Sequence, residues 1–345
     1  MRAITYTRPG DPSVLKLVER PVPKPAAGEV SVRLIVSGVN PTDWKSRRAA
    51  SDEPVNEPIV PNHDGAGVID STGDEVVGFS VGDRVWVTLA GDGRPSSGTA
   101  QEYTAVPTER VFKLPAEADY ELGASLGIPG ATAHRALTIA EDGPDRLGPH
   151  ALEGRTVLVS GGAGAVGNAA IQLARWAGAT VIATVSSDAK AELASAAGAQ
   201  LVVNYQDNHA AERIQRFAPV GVDLVVEVAA AANARLDLTV LRPRGTIAIY
   251  ANERGASFSV DVRRSMGLNV RYQFVLLYTV GWDRIAAAAA DMNQAIAQGG
   301  FRVGRTVGLP LHRFSLEDLA SAHAAVEGGA VGKVLIAVGG GEAIS

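Results

Sequence analysis

Residues 160–167 read SGGAGAVG, and Gly161, Gly162, Gly164 and Gly167 fall both as G-x-G-x-x-G and as G-x-x-G-x-x-G. Glycine loses more conformational freedom on folding than any other residue, so this density needs a reason. The stretch leaves an apolar run, Thr156–Ser160, and enters a helical pattern from Val166. A backbone corner without side chains, between a strand and a helix, lets a pyrophosphate reach N–H groups such as those of Ala165 and Val166. Gly167 lets the helix pack closely on the sheet. The chemistry such a corner serves is dinucleotide binding; a glycine-rich turn with no ligand is the bland alternative.

The next strand, Thr180–Val185, discriminates between cofactors. NAD sites place an acid at the end of this strand, about 20 residues past the glycines, to bind the ribose 2′-hydroxyl. Here the strand ends in Ser186 and Ser187, and Asp188 reads as the start of the following helix, where acids are favoured. Hydroxyls accept a 2′-phosphate that a carboxylate would repel. Lys190 and Tyr205 complete a phosphate pocket in this reading, which makes NADPH the expected cofactor. The alternative for Lys190 is an ordinary solvated lysine. Tyr250 and Asn252 follow the fifth strand, where open α/β sheets bind ligands.

Other chemistries are excluded by what the chain lacks. It has no cysteine, hence no disulfide, thiolate nucleophile or Cys-held zinc. Its six histidines are scattered, and none pairs with another at metal-ligand spacing. The net charge of −5 and the absence of a polybasic tract argue against nucleic acid or an anionic membrane as partner. No run of about 18 apolar residues predicts a membrane span, and the N-terminus reads as a strand, so a cytoplasmic location is expected.

The elements that must position the corner fall into two patterns. Up to about residue 120, short β-like runs such as Glu29–Val36, Ala66–Asp70 and Asp83–Leu89 are broken by Gly-Asp turns. From about 122 strands alternate with helices, the signature of a parallel sheet covered on both faces. Beyond about 269 the pattern is mixed and closes on a strand, Gly332–Val338. The expected domains are therefore 1–122 with 269–345, and 123–268.

Several segments, taken in order, resemble one family. SGVNPTDWK (Ser37–Lys45), VPNHDGAGVI (Val60–Ile69), VGDRVW (Val81–Trp86), GTAQEYTAVP (Gly98–Pro107), GIPGATAHRAL (Gly127–Leu137) and VEGGAVGKVLI (Val326–Ile336) are similar to segments of the zinc-free quinone oxidoreductases of the medium-chain dehydrogenase/reductase superfamily. The resemblance implies an α/β protein with a GroES-like, β-barrel-like catalytic domain and an inserted Rossmann-fold nucleotide domain. It implies NADPH-dependent, zinc-independent hydride transfer to a quinone or an α,β-unsaturated carbonyl, in a homodimer; the β-rich stretch Phe258–Tyr278 is the candidate edge strand for pairing. Two rival readings are an enoyl-thioester reductase of the polyketide type and a non-catalytic NADPH-binding protein.

The resemblance also assigns residues. Asn40 is placed near the nicotinamide and substrate, where zinc-dependent relatives carry Cys; holding the turn before Pro41 is its alternative role. Lys45 stands where many quinone reductases have Tyr and resembles a lysine proposed as proton donor in stand-alone enoyl reductases; the alternative is a solvent-facing lysine. Thr132 is a candidate hydroxyl near the reacting groups, or a helix-start threonine bonding its own backbone. Lys333 matches a family lysine near the cofactor. His63 falls where zinc-dependent relatives have a His ligand, yet a lone imidazole is far short of a zinc shell; no metal is expected. Asn62 replaces the family's usual glycine, His134 is expected to be structural, and Asp43 is expected to order its own loop.

Overall fold

Period-two alternation makes Glu29–Val39 a strand: Val30, Val32, Leu34 and Val36 all point into a core and are buried. The computed structural model, which describes residues 1–49, 55–251 and 257–339, continues such reasoning along the chain. The first part contains β1 (Arg2–Thr5), β2 (Lys16–Glu19), β3 (Glu29–Val39), α1 (Pro41–Arg47), β4 (Asp64–Thr72), β5 (Arg84–Val87), β6 (Tyr103–Pro107), β7 (Val111–Lys113) and α2 (Tyr120–Leu137). Next come β8 (Thr156–Ser160), α3 (Ala165–Trp176), β9 (Thr180–Val185), α4 (Asp188–Ala196), β10 (Leu201–Asn204), α5 (Ala210–Phe217) and β11 (Val222–Glu227). They are followed by α6 (Ala230–Val240), β12 (Leu241–Ile249), α7 (Val262–Leu268), β13 (Arg271–Phe274) and α8 (Trp282–Ala297). The chain closes with β14 (Leu311–Ser315), α9 (Leu319–Glu327) and β15 (Lys333–Ala337).

Two units result: Met1–Pro129 with Pro310–Ser345, and Gly130–Leu309. In the first, β14-β15-β3-β4-β5-β7 form one sheet and β6 also pairs with β3. The long β3 is shared along one side, its first half with β6 and its second half with β15, while β4 follows it on the other. In the second unit, β10-β9-β8-β11-β12-β13 form an all-parallel sheet. Val157, Leu158 and Val159 are consecutive and all fully buried, as strands covered on both faces must be.

Three expectations are corrected. The nucleotide unit ends at Leu309 and not near 268, because β13 extends its sheet in parallel register on β12, Thr246 opposite Arg271 through Ile249 opposite Phe274. The Asn168 amide donates to Val307 O at 2.7 Å and the Gln172 amide to Arg302 O at 2.9 Å, which binds the rest of that stretch to α3. Second, the segment from Gly127 is no helix start. Helix α2 begins at Tyr120, with Asp119 Oδ1 accepting the Leu122 N–H at 2.7 Å, so Thr132 lies well inside it and Pro129 is carried within the helix. Gly123 and Gly127 make one close-packing face rather than a break: a Cβ at Gly127 would lie 2.1 Å from Asp64 Oδ1. Third, the stretch 258–278, expected to be β-rich, holds the helix α7 in its middle and one short strand, β13.

Candidate functional site

The glycine corner is held by the sheet. The N–H groups of Gly161 and Gly162 both donate to Thr184 O of β9, at 3.0 and 3.1 Å, and the Gly164 N–H closes a tight turn onto Gly161 O at 3.0 Å. Three of the four glycines are demanded by the fold. Gly161 has φ +70°; a Cβ at Gly162 would lie 2.8 Å from Ala183 Cβ; a Cβ at Gly167 would lie 2.3 Å from Gly161 O. Gly164 is different. Its φ is ordinary at −78°, it is exposed, and a Cβ there would meet only Gly161 O, at a relaxed 3.4 Å. The protein itself gives no steric reason for glycine at 164, and the absent side chain leaves the corner open to the close approach of a ligand. Gly164 also begins α3 without a side-chain cap, so the amides of Ala165, Val166 and Gly167 lack the usual side-chain acceptor. These features suit a diphosphate.

At the end of β9 the Lys190 ammonium donates to Ser186 Oγ at 2.9 Å, and Ser187 caps α4 by accepting the Lys190 N–H at 3.4 Å. Asp188 is the exposed first residue of α4. Tyr205 is anchored alongside, its N–H donating to Val185 O at 3.0 Å. Ser186, Ser187, Lys190 and Tyr205 are thus brought together. On the other side of the corner, a pocket of about 470 Å³ opens at the carboxyl ends of β11, β12 and β13, with Ala230, Tyr250, Phe258, Phe274 and Leu276 among its walls. Asn252 lies outside the described residues.

Asn40 and Lys333 also meet, inside the first unit. The Lys333 ammonium donates to Asn40 Oδ1 at 2.7 Å and to Val39 O at 3.3 Å. Asn40 Nδ2 donates to Asp64 Oδ2 at 2.7 Å, and Asp64 also accepts from Thr88 Oγ1 at 3.0 Å and from the Ile128 N–H at 2.8 Å. The Asn40 N–H donates to Asp43 Oδ2 at 2.6 Å, which is how Asp43 orders its loop. Asn40, Asp43, Asp64, Thr88 and Lys333 are all buried. Burial raises the carboxyls of Asp43 and Asp64 and lowers the Lys333 ammonium, in each case because low polarity penalises the charged form. Lys45 is not part of this group; it is exposed on α1 with its ammonium 5.9 Å from the Trp44 ring centre. Thr132 is buried within α2. His134 is buried against Asp291, Nε2 to Oδ2 at 2.8 Å, a structural pair that also receives Arg146.

His63 stands 4.0 Å from Asp43 Oδ1, and burial lowers its imidazole to about 4, so it is neutral. Among the described residues no three His, Cys, Asp or Glu side chains converge on a metal site. Asn62 adopts φ +69°, the left-handed region that glycine or asparagine tolerates, and its amide bridges Ser37 Oγ at 2.9 Å and His323 Nε2 at 3.0 Å. Two buried acids escaped the sequence reading, Asp64 and Glu227. Their one signal is position: Asp64 opens β4 and Glu227 closes β11.

A parallel nucleotide-type sheet with a glycine corner, joined to a GroES-like β unit, defines a medium-chain dehydrogenase/reductase. The family description "Zinc-binding dehydrogenase" matches residues 165–294, and "Alcohol dehydrogenase GroES-like domain" matches 26–116. Quinone oxidoreductases from Lama guanicoe and Homo sapiens are each 30% identical to it over 340 residues, 97% of both chains. Among solved structures, a mycobacterial quinone oxidoreductase superposes with TM-score 0.82 at 30% identity, over 98% of this chain and 99% of that one. A mycobacterial structure complexed with NADPH gives 0.80 at 30% identity over the same shares. An NAD-dependent alcohol dehydrogenase gives 0.83 at 27% identity, over 98% and 100%. The chain belongs to the quinone oxidoreductase family of the medium-chain dehydrogenases/reductases, and is an oxidoreductase that binds a nicotinamide cofactor. No helix among the described residues is long and apolar enough to cross a membrane.

Proposed function

We propose that the protein transfers hydride from NADPH to a quinone or an α,β-unsaturated carbonyl, without zinc. The observation that carries the reading is Gly164, an exposed glycine that no steric contact within the protein requires and that leaves the corner open to a ligand. The order of the sheet then orients the cofactor. Ser186, Lys190 and Tyr205 lie on the β9–β10 side of the corner and suit a 2′-phosphate. The apolar pocket lies on the β11–β13 side and suits the nicotinamide end with its acceptor. NADPH bound in this way supplies a hydride.

With no cysteine in the chain, carbonyl polarisation falls to hydrogen-bond donors, which suffices for an already electron-poor carbon. Asn40 is the proposed donor near the reacting groups: Lys333 and Asp64 fix which way its amide faces. Lys45, exposed on α1, is the proposed proton source. Thr132 is the proposed second hydroxyl. A relative from Solanum lycopersicum named 2-methylene-furan-3-one reductase, 35% identical over 213 residues, supports conjugated carbonyl acceptors beside quinones. The subunit contact is proposed at β13, which ends the sheet and leaves Phe274 and Leu276 more than half exposed. Light scattering should show a dimer for the wild type and a monomer for Phe274→Asp.

The test is NADPH oxidation against quinones, 2-alkenals and enoyl thioesters, with NADH as control. Turnover with quinones or enals and a clear preference for NADPH is the expected result. Turnover confined to enoyl thioesters, or NADPH binding without turnover on any acceptor, would replace this reading by one of its rivals.

A further inference from the structure

Glu227 closes β11 and is fully buried. Its carboxylate gathers donors from separate segments. Ser160 Oγ, on the last residue of β8 before the glycine corner, donates to Oε2 at 2.6 Å. The Ala229 N–H donates to Oε1, and Asn233 Nδ2 lies 3.0 and 3.2 Å from the two oxygens. The Glu227 carbonyl accepts the Tyr250 N–H at 3.1 Å. Ala229, Ala230 and Tyr250 line the apolar pocket. One side chain therefore ties the corner to the pocket on its other flank.

We infer that Glu227 is a positioning residue that holds the glycine corner and the apolar pocket in register, so that both ends of a dinucleotide's diphosphate-to-nicotinamide half are bound at once. The inference rests on the proposed reading of the corner. Its chemistry explains why the residue is an acid. Every group that faces the carboxylate from β8 and from the start of α6 is a donor, and a carboxylate offers about four acceptor positions. A glutamine would set an amide N–H₂ against one of them. A second buried acid, Asp237 of α6, adjoins Glu227; burial, then Glu227 itself, pushes Asp237 well above the usual carboxylate range.

The test measures binding of NADPH and of 2′-AMP, which engages the Ser186–Lys190 end but has no diphosphate and no nicotinamide. Glu227→Gln should raise the NADPH Kd by about tenfold, the scale of a lost charged hydrogen bond, and leave the 2′-AMP Kd within about twofold of the wild type. Loss of fold alone would weaken both ligands in proportion, and that result overturns the inference. Ser160→Ala removes only the arm to the corner and should raise the NADPH Kd by about threefold to tenfold; should Glu227→Gln fail to fold, an unchanged Kd for Ser160→Ala overturns the inference. Wild-type protein that does not bind NADPH overturns the reading of the corner and this inference together. Wild-type binding with an unaltered Glu227→Gln Kd overturns this inference alone.

Discussion

The Lys190 ammonium is folded back onto Ser186 Oγ, 2.9 Å away, so a cation and a hydroxyl stand together at the end of β9. An acid at that position would bind a free ribose 2′-hydroxyl; this pair suits a 2′-phosphate. Lys190→Ala should raise KM for NADPH by about tenfold or more, the scale of a charge-assisted hydrogen bond, and leave KM for NADH unchanged. Ser186→Glu should reverse the preference. Steady-state kinetics with both cofactors and one quinone check this, and equal losses for NADPH and NADH in Lys190→Ala would contradict it.

Gly164 and Gly167 stand in one corner for different reasons, and substitution separates them. Gly167→Ala drives a Cβ to 2.3 Å from the Gly161 carbonyl oxygen, against backbone that has no room to give. It should destabilise the protein by about 1–3 kcal/mol, as overpacking does. Gly164→Ala meets nothing closer than 3.4 Å and has a φ any residue adopts. Its thermal midpoint should match the wild type within about 2 °C, while the NADPH Kd rises by about tenfold or more because the methyl stands where the diphosphate approaches. Gly164→Ala binding NADPH as tightly as wild type would remove the steric case for that ligand.

Lys333 is a buried cation, Asp64 a buried carboxyl 4.0 Å from it, and Asn40 is held between them. Removing one member of such a set costs more than removing both, because the remaining charge is left without compensation. Lys333→Met should cost about 3–5 kcal/mol in urea unfolding. Adding Asp64→Asn to that variant should recover part of the loss, since the neutral amide needs no counter-ion. Lys45→Met, exposed on α1, should shift stability by no more than about 0.5 kcal/mol; an unchanged kcat in that variant would remove Lys45 as proton source.

How much of this was legible in the sequence depends on whether a residue's role is local. The glycine corner and the Ser186–Lys190 end are set by neighbours a few positions away, and they can be read along the chain. Asp64 and Glu227 cannot, because what they do depends on Asn40, Lys333, Ser160 and Asn233, which only strand pairing brings near. The start of α2 was missed because Gly123 and Gly127 belong to the helix through the face they pack on, against Ala66 and Asp64 of β4, which only the fold brings near. The end of the nucleotide unit was missed because β13 is short and half exposed, and only its register on β12 makes it part of the sheet.

His323 links stability to pH in a way that can be isolated. It is fully buried on α9, its Nε2–H donating to Asn62 Oδ1 at 3.0 Å, and burial lowers its imidazole from 6.5 to about 3. A depressed histidine contributes stability that is complete above its unfolded value and is lost as pH falls toward the folded one. Over that window the unfolded chain takes up the proton and the folded chain does not. The slope is about 1.4 kcal/mol per pH unit for one proton. Buried Asp43 and Asp64 titrate in the opposite sense, so the wild-type curve alone does not report His323. The difference between wild type and His323→Gln does, because both share the acids. The wild type's advantage at pH 7.5 should shrink steadily below about 6.5, and His323→Gln should equal or exceed the wild type near pH 4. Urea unfolding of the two proteins at half-unit steps measures it, and a stability gap constant from pH 7.5 to 4 would mean that His323 gains its proton as readily folded as unfolded.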